Sequence, residues 1–296
     1  AIAVRVAVTG ANGQVASALL ERAVLKGHEV VALARPQFDL ARPETIAPLL
    51  AAANVAAVVS AAAYTAVDKA ESEPDEAHAV NAVGARALAD AAAAHGIPVI
   101  HLSTDYVFDG TKSRPYDESD ATNPLGEYGR SKLAGEQAIL AAHGGNSAIL
   151  RTAWVYSPFG ANFVKTMLRL AIDRDEIGVV ADQFGNPTSA LDIADGVLTV
   201  AERLVADPSP ELRGIFHLAA TGETSWAGFA EEVFAVSRRR GGQVAGVRHI
   251  TTAEYPTPAR RPANSRLNCD KLAAVHGIRL PAWQPATERV VARLLA

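Results

Sequence analysis

The chain has 296 residues, of which 49% are hydrophobic and 20% charged, and its formal net charge is −4. This length allows one large domain or two smaller ones, and the weakly acidic balance gives no basic footprint for nucleic acid. The single cysteine, Cys269, excludes an intramolecular disulfide and a zinc site built from several cysteines. Because the sequence has no run of 18 apolar residues and no signal-peptide pattern, we expect a cytoplasmic protein without membrane contacts.

The first predicted element is a short apolar strand, Val4–Val8, which leads into a glycine-containing loop and then into an amphipathic helix, Ser17–Ala23. Glycine permits a tight turn and lets a pyrophosphate approach the backbone. The helix N-terminus supplies N–H groups and the positive end of the helix dipole. Because a strand precedes the loop and a helix follows it, we expect a dinucleotide-binding loop rather than a structural turn. Its predicted cofactor residues are Gly10, Asn12, Gly13, Gln14 and Val15.

The second predicted strand, Glu29–Arg35, ends some 20 residues beyond the loop, where NAD-dependent enzymes usually carry an acidic residue that binds the ribose 2′-hydroxyl. This chain has Ala34 and Arg35 there instead, and a guanidinium group suits the 2′-phosphate of NADPH. We therefore expect NADPH as the cofactor, with NADH as the second choice. The alternative role of Arg35 is a simple cap at the end of the strand.

Strands and helices continue to alternate up to about residue 155. The predicted strands and helices, in chain order, are Val55–Ser60, Ala77–His95, Pro98–Leu102, Tyr128–Ala142 and Ala148–Arg151. This order predicts an α/β fold with a Rossmann-type doubly wound parallel sheet. Ligands of such sheets bind at the carboxyl ends of the strands. In this chain those ends lead to the Gly loop, the small residues around Ala63, Thr104 and Trp154.

A tyrosine and a lysine four residues apart, Tyr128 and Lys132, share one face at the start of a predicted helix. Thr104, about two dozen residues earlier at the end of a strand, can meet them. Together they predict a proton-donating site for a carbonyl group, in which the Lys132 ammonium lowers the pKa of the Tyr128 phenol. The spacing alone is unspecific, and a surface tyrosine beside a solvated lysine is the alternative. The Gly loop favours the catalytic interpretation.

Beyond about residue 155 the alternation breaks, and short strands, turns and helices follow without a fixed rhythm. We expect an NAD(P)-binding Rossmann domain at residues 1–155, with a return segment at about 179–219. Residues of about 156–178 and 220–296 then form a smaller C-terminal substrate-binding lobe.

The chain resembles the dTDP-4-dehydrorhamnose reductases, a family of extended short-chain dehydrogenases/reductases. The segments that carry the resemblance are Ala61–Glu71, Ser103–Gly110, Tyr128–Glu136, Arg151–Tyr156, Asn162–Phe163, Asp182–Thr188 and Arg261–Leu267. The resemblance implies reduction of the 4-keto group of dTDP-6-deoxy-L-lyxo-4-hexulose (dTDP-4-dehydro-L-rhamnose) to give dTDP-L-rhamnose. This reaction is the last step of a pathway that feeds bacterial cell-surface polysaccharides.

The resemblance also implies roles for individual residues. Thr104, Tyr128 and Lys132 match the catalytic trio, and the last two also contact the cofactor. The further cofactor residues implied by the family are Asp39 and Leu40 near the adenine, and Ala62, Ala63, Tyr64 and Thr65 along the cofactor. The substrate contacts implied by the family are Thr104, Asp105 and Trp154. From the matching segments of the second lobe we add Arg266 for the diphosphate, with Gln183 and Asn186 as amide partners.

Some members of this family form a metal-bridged dimer through glutamates, and the nearest positions here are Ala18 and Leu191. We therefore expect no metal site and a monomer or weak homodimer. Two other functions stay open. One is a different nucleotide-sugar short-chain reductase, epimerase or dehydratase, although Tyr106 stands where dehydratases carry a glutamate. The other is a non-catalytic NADP-binding regulatory subunit, against which the intact Tyr128 and Lys132 pair argues.

Overall fold

Strands and helices alternate through most of the computed structural model, which describes residues 2–296. The strands are β1 (Arg5–Thr9), β2 (Glu29–Leu33), β3 (Ala57–Ser60), β4 (Val99–Thr104), β5 (Ser147–Thr152), β6 (Val155–Tyr156), β7 (Glu176–Val180), β8 (Phe184–Gly185), β9 (Thr188–Ser189), β10 (Gly214–His217), β11 (Thr224–Ser225) and β12 (Gly246–Ile250). The α-helices are α1 (Gln14–Leu25), α2 (Ile46–Ala53), α3 (Val67–Ala70), α4 (Pro74–His78), α5 (Ala85–Ala94), α6 (Glu127–His143), α7 (Phe163–Leu170), α8 (Ala190–Ala206), α9 (Trp226–Arg239), α10 (Asp270–His276) and α11 (Trp283–Leu295).

Six parallel strands form the central sheet in the order β10-β5-β4-β3-β1-β2. Apolar side chains of the sheet are buried on both faces. Val6 and Val8 pack with α1 and α8 on one face, while Ala7 and Val58 pack with α2 and α5 on the other. A parallel sheet covered on both faces needs such continuous apolar strands. The predicted α/β fold with a doubly wound sheet is therefore confirmed.

A second core lies outside the sheet and contains α7, α9 and α11. Tyr156, Phe229 and Trp283 are among its buried aromatic residues, and β7 pairs in parallel with β12 beside them. The predicted return segment starts later than expected. It was predicted from about residue 179, but β7 pairs with β12 and not with the central sheet. The chain returns to the sheet only from Ala190, through α8, which packs on α1, and then through β10.

The helix predicted over Ala77–His95 contains a π-helical turn at Ala79–Gly84, between α4 and α5. Gly84 lies directly against the segment after β2, since a Cβ atom on it would stand 2.5 Å from the Leu40 carbonyl oxygen. Asn81, within this turn, is buried. π-Helical turns of this kind are frequent at functional sites.

No helix within residues 2–296 is both long and apolar enough to cross a bilayer. Ala18 is buried in the core, and Leu191 packs against the same core. Over the same residues, no three His, Cys, Asp or Glu side chains are grouped so that they could hold a metal ion.

Candidate active site

The loop after β1 has the geometry of an anion-binding helix N-terminus. Gly10 has a φ of +91°, in the region that favours glycine, and α1 begins four residues later. Gly13 precedes the helix, and in the described chain no side chain caps its N–H groups. A Cβ atom on Gly13 would meet no atom within 4 Å. Open space in front of free N–H groups fits the pyrophosphate of a dinucleotide.

The other residues of the loop hold its shape. The amide oxygen of Gln14 accepts a 2.7 Å hydrogen bond from Ser157, so the backbone rather than the side chain of Gln14 is left for a cofactor. Asn12 is exposed, and Val15 packs against the core beneath the loop. The Thr9 hydroxyl oxygen accepts hydrogen bonds from Ala61 N (3.0 Å) and Ala62 N (2.9 Å), which ties the end of β3 to the end of β1. Thr9 was not predicted from the sequence.

Past β2, Arg35 is exposed, and within residues 2–296 its guanidinium makes no hydrogen bond or ion pair. The Asp39 carboxylate accepts a hydrogen bond from Ala41 N at 2.9 Å, and Leu40 is buried. Both follow the end of β2, beside the strand that carries the Gly loop. The segment therefore offers a free cation for a 2′-phosphate and a formed backbone turn beside it.

Asn81 links the segment after β3 to helix α6, which carries Tyr128 and Lys132, through hydrogen bonds. Its side-chain oxygen accepts from Tyr64 N at 2.8 Å, and its amide donates to Tyr64 O and to the Ser131 hydroxyl at 2.9 Å each. Ser131 in turn donates to the Tyr128 carbonyl oxygen at 2.7 Å. Asn81 is a site residue that the sequence analysis missed. Its one signal was a polar residue on the buried face of an alanine-rich helix.

Neighbouring cofactor residues keep the same edge open. Ala62 and Ala63 are half-buried and carry only methyl groups, while Thr65 is exposed. The Tyr64 hydroxyl donates to Glu73 at 2.8 Å, and burial together with that carboxylate raises the pKa of Tyr64 to about 12. This segment therefore presents small side chains and a fixed backbone to the strand ends.

The catalytic trio is assembled by close packing of α6 on the end of β4. A Cβ atom on Gly129 would lie 2.3 Å from the Tyr106 carbonyl oxygen, so only glycine allows this approach. It brings Tyr128 beside Thr104, and the Tyr128 ring packs edge-on against Tyr106 at 5.5 Å between centroids. One turn along α6, the buried Lys132 donates through Nζ to the Leu102 carbonyl oxygen at 2.8 Å.

Burial controls the protonation of the trio. Burial raises the pKa of Tyr128, the Asp105 carboxylate adds to the rise, and the Thr104 hydroxyl opposes it. The expected lowering of this pKa by Lys132 is therefore not present in this structure. Burial also lowers the pKa of Lys132 to about 8, while the Glu136 carboxylate opposes the change. A phenol that keeps its proton suits a group that must donate one.

Asp105 is buried beside the trio with an unused hydrogen-bonding atom. Its Oδ1 accepts from the Thr104 hydroxyl at 3.2 Å, whereas Oδ2 has no partner among residues 2–296. Burial raises the pKa of Asp105 to about 7, and the nearby hydroxyl groups of Ser265 and Thr104 oppose the rise. A buried oxygen without a partner fits a site that is completed by a ligand hydroxyl.

A buried ion pair underlies the catalytic helix. Arg151 on β5 donates to both Glu136 oxygens, at 2.9 and 2.7 Å, and Ser103 donates to the same carboxylate. Glu136 is one turn beyond Lys132 on α6, so its charge acts on the lysine from within the protein. The pair joins α6 to the sheet directly below the trio.

A cavity of about 400 Å³ opens between the second lobe and α3. Its lining includes Asp68, Phe163, Met167, Gln183, Trp226 and Arg261. Arg261 donates to both Asp68 oxygens, at 2.8 and 3.2 Å, and thereby joins residues 193 positions apart. Trp226 stacks on Trp154 with the ring centroids 3.6 Å apart and the planes at 12°. This stack connects the cavity to the end of β5.

Gln183 is the one second-lobe residue chosen from the sequence that lines the cavity. Arg266 does not line it, and its guanidinium binds Asn264, Glu223 and Ser113. Asn186 is also away from the lining, and its amide binds Gly222 and Leu267. Gln183 also uses its amide within the protein, since its nitrogen donates to Thr252 at 3.1 Å. The assignments of all three residues to the substrate stay predictions. Trp226 and Arg261 were not singled out individually from the sequence.

Comparisons with known proteins identify the family of the chain. A family profile described as RmlD substrate binding domain matches residues 4–296. A dTDP-4-dehydrorhamnose reductase of Sinorhizobium fredii is 58% identical over 291 residues, with 98% of each chain covered. The crystal structure of a dTDP-4-dehydrorhamnose reductase from Clostridium acetobutylicum has a TM-score of 0.91 at 35% identity, with 99% of this chain and 100% of that chain covered.

The dTDP-4-dehydrorhamnose reductase from Bacillus anthracis was solved in complex with NADP. It has a TM-score of 0.90 to this structure at 34% identity, and the match covers 99% of this chain and 100% of that chain. Likeness in sequence and in fold thus extends over nearly the full length. The chain belongs to the dTDP-4-dehydrorhamnose reductase family.

Proposed function

We propose that this protein uses NADPH to reduce the 4-keto group of dTDP-4-dehydro-L-rhamnose, which yields dTDP-L-rhamnose and NADP⁺. The observation that carries the proposal is that Thr104, Tyr128 and Lys132 meet at the carboxyl end of β4, on the same edge of the parallel sheet as the uncapped helix N-terminus after β1, in a chain of this reductase family. A proton donor next to a dinucleotide site is what reduction of a ketone requires.

The cofactor site is formed mainly by backbone groups. The N–H groups at the start of α1 hold the pyrophosphate, and the absence of a side chain at Gly13 lets it approach. The free guanidinium of Arg35 binds the 2′-phosphate. NADPH supplies, when bound, the hydride that reduces the sugar carbon.

The protein's own chemical contribution is the proton. Tyr128 donates its phenolic proton to the oxygen of the former ketone as negative charge develops there, and the Thr104 hydroxyl donates a hydrogen bond to the same oxygen. The phenolate that remains takes a proton from solvent, and Lys132, one helical turn along α6, would hold the ribose of the cofactor. Asp105, through its unpartnered Oδ2, accepts from a neighbouring hydroxyl of the sugar.

The cavity of about 400 Å³ is our candidate for the thymidine diphosphate part of the substrate. Phe163 and Trp226 offer aromatic faces, and Gln183 offers its amide oxygen, since its amide nitrogen donates to Thr252. The lining holds the cations Arg174 and the Asp68-paired Arg261. Binding energy gained from this remote group can be used to orient the reacting carbon.

We place the enzyme in the cytoplasm, in keeping with its single cysteine. We propose that it is a monomer or weak homodimer.

The test is NADPH oxidation by the purified protein with the keto-sugar nucleotide as substrate. We expect one NADPH consumed for each sugar nucleotide reduced, and competitive inhibition by dTDP against the sugar nucleotide but not against NADPH. An epimerase would convert the sugar without net loss of NADPH, and a regulatory subunit would bind NADPH without turnover. Either result would overturn the proposal.

A further inference from the structure

We propose that the segment Phe184–Thr188, here called the cradle, holds Trp154 as a fixed aromatic wall of the sugar site. Gly185 and Asn186 then act as positioning residues, through Trp154 and not by contact with the substrate. The inference rests on the proposed function in one respect, that the Trp154 ring faces the sugar nucleotide.

The backbone of Trp154 shows that its position is imposed from outside. Its φ is +50°, in the left-handed region, and a bulky aromatic residue rarely adopts it. Such a conformation persists only where surrounding contacts hold it, and it is concentrated at ligand-binding sites. The Trp154 carbonyl oxygen accepts from Thr188 N at 3.1 Å, so the last residue of the cradle holds this backbone.

Gly185 holds the side chain of the same residue. A Cβ atom on Gly185 would lie 2.5 Å from Cε2, 2.8 Å from Nε1 and 2.9 Å from Cδ2 of the Trp154 indole. These distances leave no room for any side chain at position 185 unless the indole moves. The stack with Trp226, at 3.6 Å between centroids, fixes the ring plane. The cradle, through Gly185, therefore fixes the position of the Trp154 ring.

Contacts from two later segments hold the cradle itself in place. Asn186 donates to Gly222 O at 2.6 Å and accepts from Leu267 N at 2.9 Å, which accounts for its buried amide. The Thr188 hydroxyl donates to Asn186 O at 2.8 Å and accepts from Ala220 N at 3.1 Å. Phe184 exchanges backbone hydrogen bonds with Ala263 and Ser265, at 2.9 and 2.7 Å.

The position of the wall explains why it must be fixed. Trp154 follows Thr152, which is paired with Thr104 in the sheet, and it packs against the buried cluster of Val107 and Phe108 just beyond the catalytic end of β4. Its stacking partner Trp226 lines the cavity assigned to the nucleotide. The stacked rings of Trp154 and Trp226 thus extend from the catalytic end of β4 to the cavity assigned to the nucleotide. Misplacement of such a positioning group by about 1 Å can cost about 100-fold in rate.

The central experiment is a double-mutant cycle between Gly185 and Trp154. We expect Gly185→Ala to lower kcat/KM for the sugar nucleotide about 100-fold, mainly through KM, and to leave the KM for NADPH unchanged. In the Trp154→Ala background, where no indole remains to collide with, Gly185→Ala should change kcat/KM less than about twofold. An equal loss in both backgrounds would show that Gly185 acts independently of Trp154 and would overturn the proposal.

A readout without substrate separates this inference from the proposed function. Two stacked indoles give an exciton-coupled circular dichroism band, which Trp154→Ala should abolish and Gly185→Ala should weaken. Thermal stability should follow the same cycle, because Gly185→Ala should lower the Tm only while Trp154 is present. If the wild type fails to reduce the keto-sugar, the function is wrong, yet the spectra and Tm values still decide the cradle. An unchanged band in a folded Gly185→Ala protein would refute it.

Gly246→Ala is the matched control. Gly246 begins β12 in the same lobe, and a Cβ atom there would meet only Asp175 O, at an ordinary 3.6 Å. We expect this variant to keep the exciton band, the Tm and the kcat/KM of the wild type. If it loses the band as Gly185→Ala does, the effect belongs to any alanine in the lobe, and the proposal fails.

Discussion

The two halves of the site are built in different ways. On the cofactor side, the Gly loop and the N-terminus of α1 offer backbone N–H groups, and neighbouring residues in the chain provide them. On the substrate side, the groups are side chains from distant segments, such as Asp68 with Arg261 and Trp154 with Trp226. A backbone site tolerates most substitutions except at its glycines, whereas a side-chain site depends on each partner. Mutations in the two halves should therefore affect different kinetic constants.

The largest effect is expected where the two halves meet, at the proton donor. Tyr128→Phe removes the donated proton and keeps the ring, so turnover should fall by about 10²-fold or more while NADPH still binds. Thr104→Val should lower kcat less, because Tyr128 still reaches the carbonyl oxygen. Steady-state kinetics and NADPH titration of both variants provide the check. A Tyr128→Phe enzyme with near-normal kcat would remove Tyr128 from the mechanism.

Asp105 predicts a pH effect on stability. Burial raises its pKa from 3.8 to about 7, so the folded protein keeps a proton that the unfolded chain releases between about pH 4 and pH 7. Its contribution to stability is therefore fully present below about pH 4 and is lost as the pH rises to about 7, by up to about 4 kcal/mol. Asp105→Asn has no such titration, so its free energy of unfolding should rise relative to the wild type across this window. Parallel denaturant titrations that show no divergence would contradict the raised pKa.

Arg261 lines the cavity and Arg266 does not, so variants of these two residues test whether the cavity binds the diphosphate. Arg261→Gln removes one of the two arginines in residues 2–296 that line the cavity, the other being Arg174. It should raise KM for the sugar nucleotide about 30-fold, with KM for NADPH unchanged. Arg266→Gln is its matched control. Since Arg266 does not line the cavity, we expect a smaller change in KM. A larger rise in KM for Arg266→Gln than for Arg261→Gln would assign the diphosphate to Arg266 instead.

Arg35 tests the cofactor side alone and should give the smallest effect, because the residue is exposed and its charge is screened by water. Arg35→Glu should weaken NADPH binding about tenfold by repulsion of the 2′-phosphate, and NADH binding much less. Fluorescence titration with both cofactors measures the ratio. Equal affinity of the wild type for NADPH and NADH would remove the role given to Arg35.

The same contrast explains what could be predicted from the sequence. The Gly loop follows from one strand, one turn and one helix, and Tyr128 and Lys132 are one helical turn apart, so local patterns were sufficient. Asn81, Trp226 and Arg261 acquire their roles through partners that lie 17 to 193 positions away in the chain. Local sequence carries little signal for such contacts, and for Asn81 it is only a polar residue on the buried face of an alanine-rich helix. For the same reason the pairing of β7 with β12, and hence the later return to the sheet, was not foreseen.

The fate of a labelled hydride tests the central claim most directly. The purified enzyme is given the keto-sugar nucleotide and NADPH that carries deuterium at the transferable position, and the sugar product is examined by NMR. We predict dTDP-L-rhamnose with one deuterium at C4 for each NADPH consumed, and no product from Tyr128→Phe over the same time. A product without deuterium at C4, a product with the opposite configuration at C4, or consumption of NADPH without sugar reduction would contradict the account.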